Sequence, residues 1–200
     1  MQPFNPIKKE VVHHFHDTPK QLAPHLVIIM IGYDSASATY IQKKKEFLEE
    51  IGGRVTIQRF PKKASEEEIV EYIQTCNDDP DVDGIIVQLP VPHKYHKDVF
   101  LDTIDAPKDV DGLSTFNLGS LFYGSQLPFF WPATVRAVTR MLGYYNYTVY
   151  GSHVVLVGAG ILVSQPLYHI LTEWGASVTT VHKDTPNLSE ITQHGDFIIS

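Results

Sequence analysis

His25-Leu-Val-Ile-Ile-Met-Ile-Gly32 decides how this chain folds. An apolar run without polar alternation, closed by glycine, describes a strand covered on both faces. Such strands belong to parallel sheets flanked by helices. Downstream, Ser35 to Ile51 reads as a helix closed by Gly52-Gly53. Arg54–Phe60 reads as a second strand. Ser65-Glu-Glu-Glu68 is a capping box opening a helix with Ile69, Val70, Ile73 and Cys76 on its inner side. Asp83-Gly-Ile-Ile-Val-Gln-Leu-Pro-Val-Pro92 is a third strand, stopped by its prolines. Helical stretches near 95–104 and 115–124 flank the loop Ala106-Pro-Lys-Asp-Val-Asp-Gly112. Strand and helix alternate, so the fold class is α/β with a parallel sheet covered on both faces. Ligands of such sheets bind beyond the carboxyl ends of the strands.

Upstream, residues 6–17 read as a short helix. His13, His14 and His16 sit there as surface residues, with no carboxylate or cysteine at ligand spacing, and no metal is expected. After a break at Gln126–Trp131, a helix from about Thr134 to Tyr144 and a linker Asn146–Gly151 lead into a second unit. That unit begins with strand Ser152–Val157 and the turn Gly158-Ala-Gly160. Helix Ile161–Trp174 and strand Ser177–His182 follow. Strand, glycine turn, helix and strand in that order form the first half of a Rossmann-type dinucleotide-binding fold. The organisation expected is a catalytic domain at 1–128, a connecting helix and linker at 129–151, and a nucleotide-binding domain at 152–200. Gly195-Asp-Phe-Ile-Ile-Ser200 reads as a strand cut off as it begins, so a C-terminally truncated chain is expected. No internal repeat is visible.

The 200 residues are 43% hydrophobic, enough for one large domain or two small ones. A net charge of −7 argues against a nucleic-acid partner, which selects for basic patches. The single cysteine, Cys76, excludes a disulfide framework and suits a reducing cytoplasm. No apolar run approaches the ~20 residues that span a bilayer, and the N-terminus lacks a secretory pattern. A cytoplasmic protein with no membrane partner is expected.

Within the first helix, Tyr40, Lys44, Phe47, Leu48 and Ile51 fall along one stripe. Lys44 is the anomaly on that stripe, because a buried ammonium loses hydration unless it gains partners. A half-buried lysine beside a tyrosine is suited to proton transfer. Tyr40, Lys44, Gln88, Lys108, Asp109 and Asp111 all fall near one sheet edge. In the second unit, Gly158-x-Gly160 can set a phosphate against a helix N-terminus. The third glycine of the usual fingerprint is absent, the chain running Ile161-Leu-Val-Ser164. His182, Lys183, Asp184 and Thr185 fall where an adenosine ribose would lie. Lys183 suits a 2′-phosphate and Asp184 a free 2′-hydroxyl, which leaves NADP and NAD both open.

Ser37-Ala-Thr-Tyr40-x-x-x-Lys44, Gly84-Ile-Ile-Val-Gln-Leu-Pro-Val-Pro92 and Pro107-Lys-Asp-Val-Asp-Gly112 together resemble the signature blocks of a known family. It is that of bifunctional methylenetetrahydrofolate dehydrogenase/methenyltetrahydrofolate cyclohydrolase, the FolD family. The likeness runs on through Pro132-Ala-Thr134 to Asp196–Ser200. The resemblance implies that Lys44 is the catalytic lysine, with Tyr40 positioning the folate, Gln88 holding Lys44, and Asp111 binding the pterin ring. It implies oxidation of 5,10-methylene-tetrahydrofolate with NADP, hydrolysis of the product to 10-formyl-tetrahydrofolate, and a homodimer. Gly158, Ala159, Gly160 and Ser164 would form the cofactor turn, with His182, Lys183 and Thr185 beyond it. Ala159 stands where the family carries a phosphate-binding arginine, and Ser164 replaces a glycine. A cyclohydrolase with weakened dehydrogenase activity, a non-catalytic folate- or nucleotide-binding remnant, and a shikimate-dehydrogenase-like enzyme are the alternatives.

Overall fold

The computed structural model describes residues 23–200, so the helix expected at 6–17 and its histidines lie outside the described residues. The chain divides into two compact units, one ending at Asn117 and the other running from Leu118 to Ser200.

The first unit holds strands β1 (His25–Ile31), β2 (Arg54–Phe60) and β3 (Gly84–Val87). They form a parallel sheet in the order β2-β1-β3. The third strand is shorter than expected, because the proline-rich stretch after it leaves the ladder at a cis Leu89–Pro90 peptide. The central strand β1 is the quoted apolar run, and its side chains alternate between two cores. Val27, Ile29 and Ile31 face helices α2 (Glu66–Asp78) and α3 (Lys97–Thr103) through Ile69, Ile73 and Phe100. Ile28 and Met30 face helix α1 (Ser35–Glu50) through Ile41. Ser65 caps α2 as its sequence predicts, its hydroxyl accepting from the Glu68 N–H at 3.0 Å. Cys76 is buried in the first of these cores, and burial raises its thiol above the usual range.

The second unit contains most of helix α4 (Thr115–Tyr123), then α5 (Ala133–Tyr144), β4 (His153–Val157), α6 (Ser164–Glu173), β5 (Ser177–Val181), α7 (Leu188–Gln193) and β6 (Phe197–Ile199). Its strands are again parallel, in the order β5-β4-β6. The stretch 129–151, read from sequence as a connection, is integral to this unit. Val135 and Val149 are buried with β4 and α6, and Phe129, Trp131, Val138 and Leu142 pack against them. Helix α7 has no counterpart in the sequence reading. The terminal strand forms and pairs with β4.

The amino edges of the two sheets are fastened alike. The His25 N–H donates to Asp83 at 2.7 Å, its Nδ1 meets the Asp81 carbonyl at 3.0 Å and its Nε2 meets the Thr56 hydroxyl at 2.8 Å. In the second sheet the His153 N–H donates to Asp196 at 2.8 Å, Nδ1 meets the His194 carbonyl at 2.8 Å and Nε2 meets the Thr179 hydroxyl at 2.9 Å. A carbonyl only accepts, so Nδ1 carries the proton in both rings and Nε2 accepts from threonine when the ring is neutral. Each ring thereby bridges from the central strand to both neighbours.

Candidate active site

Helix α1 presents Ser37, Ile41, Lys44, Leu48 and Ile51 to the sheet, alternating steps of four and three that keep one face of a helix. Ser37, Ile41 and Ile51 are buried, and Lys44 and Leu48 half-buried. The sequence reading set this stripe partly one residue early. Tyr40 is 63% and Phe47 39% exposed, because each precedes a true inward position by one residue, about 100° of helix rotation. Lys44 remains on the inward face. It lies in the middle of a 16-residue helix rather than near its start, but helical side chains lean toward the N-terminus. Its stem therefore runs toward the carboxyl edge of the sheet.

There the amine meets two groups. Lys44 Nζ donates to Gln88 Oε1 at 3.4 Å and lies 3.9 Å from Asp111 Oδ2. Gln88 follows β3, its backbone N–H continuing the ladder to the Ile29 carbonyl at 2.8 Å. Its Nε2 donates to the Leu89 carbonyl at 2.9 Å, which turns Oε1 toward Lys44. The same carbonyl accepts from the buried Ser37 hydroxyl at 3.4 Å. Ser37 was quoted in the sequence motif without a role; its place two helical turns before Lys44 on one face was the available signal. Tyr40 lies one turn before Lys44, with its ring in solvent.

Asp111 is held by the loop before it. The Ile85 N–H donates to the Lys108 carbonyl at 2.8 Å, and Asp109 bridges to Ile85 beside β3. The buried Asp109 carboxylate accepts from the Gly112 and Ser114 N–H groups and from Asn117 Nδ2 at 2.8–3.0 Å. Lys108 Nζ donates to the carbonyls of Cys76, Asn77 and Asp79 at 3.0, 2.6 and 2.7 Å, closing the end of α2. Sequence grouped Lys108 and Asp109 with the reactive side chains; the structure gives both to the scaffold. Burial raises the Asp111 carboxyl above its ordinary range, the Lys44 ammonium opposes this, and Asp109 adds to it. A lysine has three donors. Two long contacts, to an amide oxygen and a carboxylate, leave Lys44 able to take a further partner.

In the second unit β4 is followed by Gly158, whose N–H donates to the Val181 carbonyl at 2.7 Å. That bond sets Gly158-Ala-Gly160 directly beside His182–Thr185. Gly158 has φ +123°, a conformation that glycine favours, and a Cβ there would meet Ser164 Oγ at 3.5 Å. A Cβ on Gly160 would meet nothing within 4 Å, so the turn is open above it. Helix α6 starts at Ser164, later than the expected Ile161. The Gln165 N–H reaches back to the Gly160 carbonyl at 3.1 Å and its Nε2 donates to the Ala159 carbonyl at 3.0 Å, giving a wide turn. Beyond β5, the Thr185 hydroxyl accepts from the His182 N–H at 3.0 Å, while His182, Lys183 and Asp184 are exposed. An open backbone turn at the carboxyl edge, beside exposed polar side chains, fits a dinucleotide.

The profile of the tetrahydrofolate dehydrogenase/cyclohydrolase catalytic domain matches residues 4–111, and that of the family's NAD(P)-binding domain matches residues 132–200. The chain belongs to this family. It is 36% identical to the bifunctional protein FolD 2 of Lactobacillus johnsonii over 99% of its own length and 70% of that protein's. It is 35% identical to a bifunctional FolD protein of Hydrogenobaculum, over 97% of this chain and 70% of the relative. Among solved structures, the FolD protein of Campylobacter jejuni superposes with a TM-score of 0.86 at 30% identity, over 96% of this chain and 70% of that one. The Trypanosoma brucei methylenetetrahydrofolate dehydrogenase-cyclohydrolase, complexed with NADP and an inhibitor, gives 0.90 at 28% identity over 98% and 67%. The chain thus spans about 70% of the length of these two curated relatives. Family membership places the two sheets as a catalytic and an NAD(P)-binding domain, as their carboxyl edges suggested.

Proposed function

We propose that this protein oxidises 5,10-methylene-tetrahydrofolate to 5,10-methenyl-tetrahydrofolate with NADP and hydrolyses the product to 10-formyl-tetrahydrofolate. The observation that carries the reading is Lys44 poised between Gln88 Oε1 and Asp111 Oδ2. Asp111 accepts hydrogen bonds from the amino and ring N–H groups of the pterin. Tyr40 packs against the folate from the solvent side. Gln88 aims Nζ at the one-carbon bridge, where Lys44 moves a proton between water and the ring nitrogen during hydrolysis. Gly158, Ala159, Gly160 and Ser164 hold the dinucleotide phosphates, and His182, Lys183 and Thr185 surround the adenosine ribose. When bound, the dinucleotide supplies the hydride acceptor. Ala159 brings no charge to the turn, so Lys183 is the side chain that meets the 2′-phosphate. We place the enzyme in the cytoplasm as a homodimer, its product serving purine biosynthesis.

The test is an absorbance assay for the methenyl product with NADP, with a separate assay of its hydrolysis. NADP-linked turnover is expected, and Lys44→Met should lower both activities by at least about a hundredfold, the scale of a lost acid–base group. No NADP-linked turnover, together with unchanged hydrolysis in that variant, would overturn the reading.

A further inference from the structure

The second unit has a groove that neither chemistry uses. It encloses about 400 Å³ and is lined by Phe129, Phe130, Trp131, Arg136, Thr139 and Arg140. The aromatic side comes from the segment before α5, where Phe129 and Trp131 pack against the unit's core and are thereby held in place. The cationic side comes from α5 itself, where Arg136 and Arg140 lie one turn apart and exposed. From Leu118 to Ser200 the lysines and arginines are Arg136, Arg140 and Lys183, so two of them stand at this groove.

Like charges four residues apart on a helix repel and weaken it. Of the described residues, no carboxylate lies within ion-pair distance of either guanidinium. Two guanidinium forks match the oxygens of a carboxylate or phosphate. The rings of Phe129 and Trp131 match the faces and edges of a planar ring, and the volume suits a small molecule.

We propose that this groove binds a small planar anion, an aromatic ring bearing one carboxylate or phosphate, with the head group on Arg136 and Arg140 and the ring against Trp131. The proposal is independent of the folate reading, since no residue of the groove belongs to the Lys44 cluster or the glycine turn.

The protein has two tryptophans, and their indole N–H resonances give the readout. Phenyl phosphate and benzoate are titrated separately, with benzyl alcohol and inorganic phosphate as controls and with NADP as competitor. Saturable movement of the Trp131 signal with either aryl anion is expected while Trp174 stays still, and whichever binds identifies the head group. Each control should bind at least about tenfold more weakly, and the Arg136→Gln/Arg140→Gln variant should lose about tenfold in affinity with its free spectrum unchanged elsewhere. Equal binding of benzyl alcohol, undiminished binding by the variant, displacement by NADP, or no Trp131 response would each overturn it.

Discussion

At the amino edge of the first sheet His25 is fastened to Asp83, the Asp81 carbonyl and Thr56; at the amino edge of the second, His153 is fastened to Asp196, the His194 carbonyl and Thr179. Strand order and direction match as well. The carboxyl edges have nothing in common. One gathers ionisable side chains, Lys44 and Asp111, around Gln88. The other clears side chains away at Gly158 and Gly160 and offers backbone. One architecture has been used twice, with its lower rim kept for holding strands in register and its upper rim free to differ. Chemistry that moves protons needs side chains, whereas holding a pyrophosphate needs exposed N–H groups.

The largest test of the division is Asp109→Ala. Removing this carboxylate takes one hydrogen-bond acceptor from each of the Gly112 and Ser114 amides and from Asn117 Nδ2, and should cost about 3 kcal/mol. Both tryptophans, Trp131 and Trp174, belong to the second unit. In denaturant the variant's circular dichroism should therefore fall early while tryptophan fluorescence holds. Coincident transitions would break the picture of separate units. Gly32→Ala comes next. Gly32 has φ +76°, and a Cβ there would lie 2.8 Å from Lys62 Cγ, so about 2 kcal/mol of first-unit stability should be lost.

His25→Ala and His153→Ala each remove two ring hydrogen bonds from exposed or partly buried sites, worth about 1 kcal/mol per variant. Near-equal losses by chemical denaturation would sharpen the parallel, and unequal ones would break it. The smallest effect concerns Asp111. Its carboxyl is raised by burial, so the fold favours its protonated form. That contribution is full below the ordinary carboxyl range and is lost as pH rises through the folded value. Asp111→Asn should accordingly raise Tm slightly at neutral pH, with the gain vanishing in acid, while folate turnover is lost. A lower Tm at neutral pH would mean that the Lys44 attraction outweighs desolvation.

Much of the fold was legible because continuous apolar strands and a capping box are local signals. Lys44 was legible as a charge on an inward face. The face itself was misplaced at Tyr40 and Phe47, since aromatic residues draw a hydrophobic stripe toward themselves even where their rings are exposed. The duties of Lys108 and Asp109 could not be read, because most of their partners are backbone carbonyls and amides, which carry no sequence signature. The repeated histidine clasp was hidden by spacing. Threonine lies 31 residues from His25 but 26 from His153, and aspartate 58 and 43 away, so no fixed period exists to detect. Helix α7 was missed as a six-residue element with no buried residue.

The loop of residues 105–112 is nailed down on both sides of the carboxylate it presents. Lys108 is bound to the end of α2, Asp109 to the amides that follow, and the Ile85 ladder runs alongside. The Gly112 and Ser114 amides can then trade hydrogen with solvent only when the surrounding core opens, on the slow timescale of subglobal unfolding rather than that of loop fraying. Asp111 thus shares the slow opening of its neighbours, and its carboxylate is presented by backbone that is already ordered.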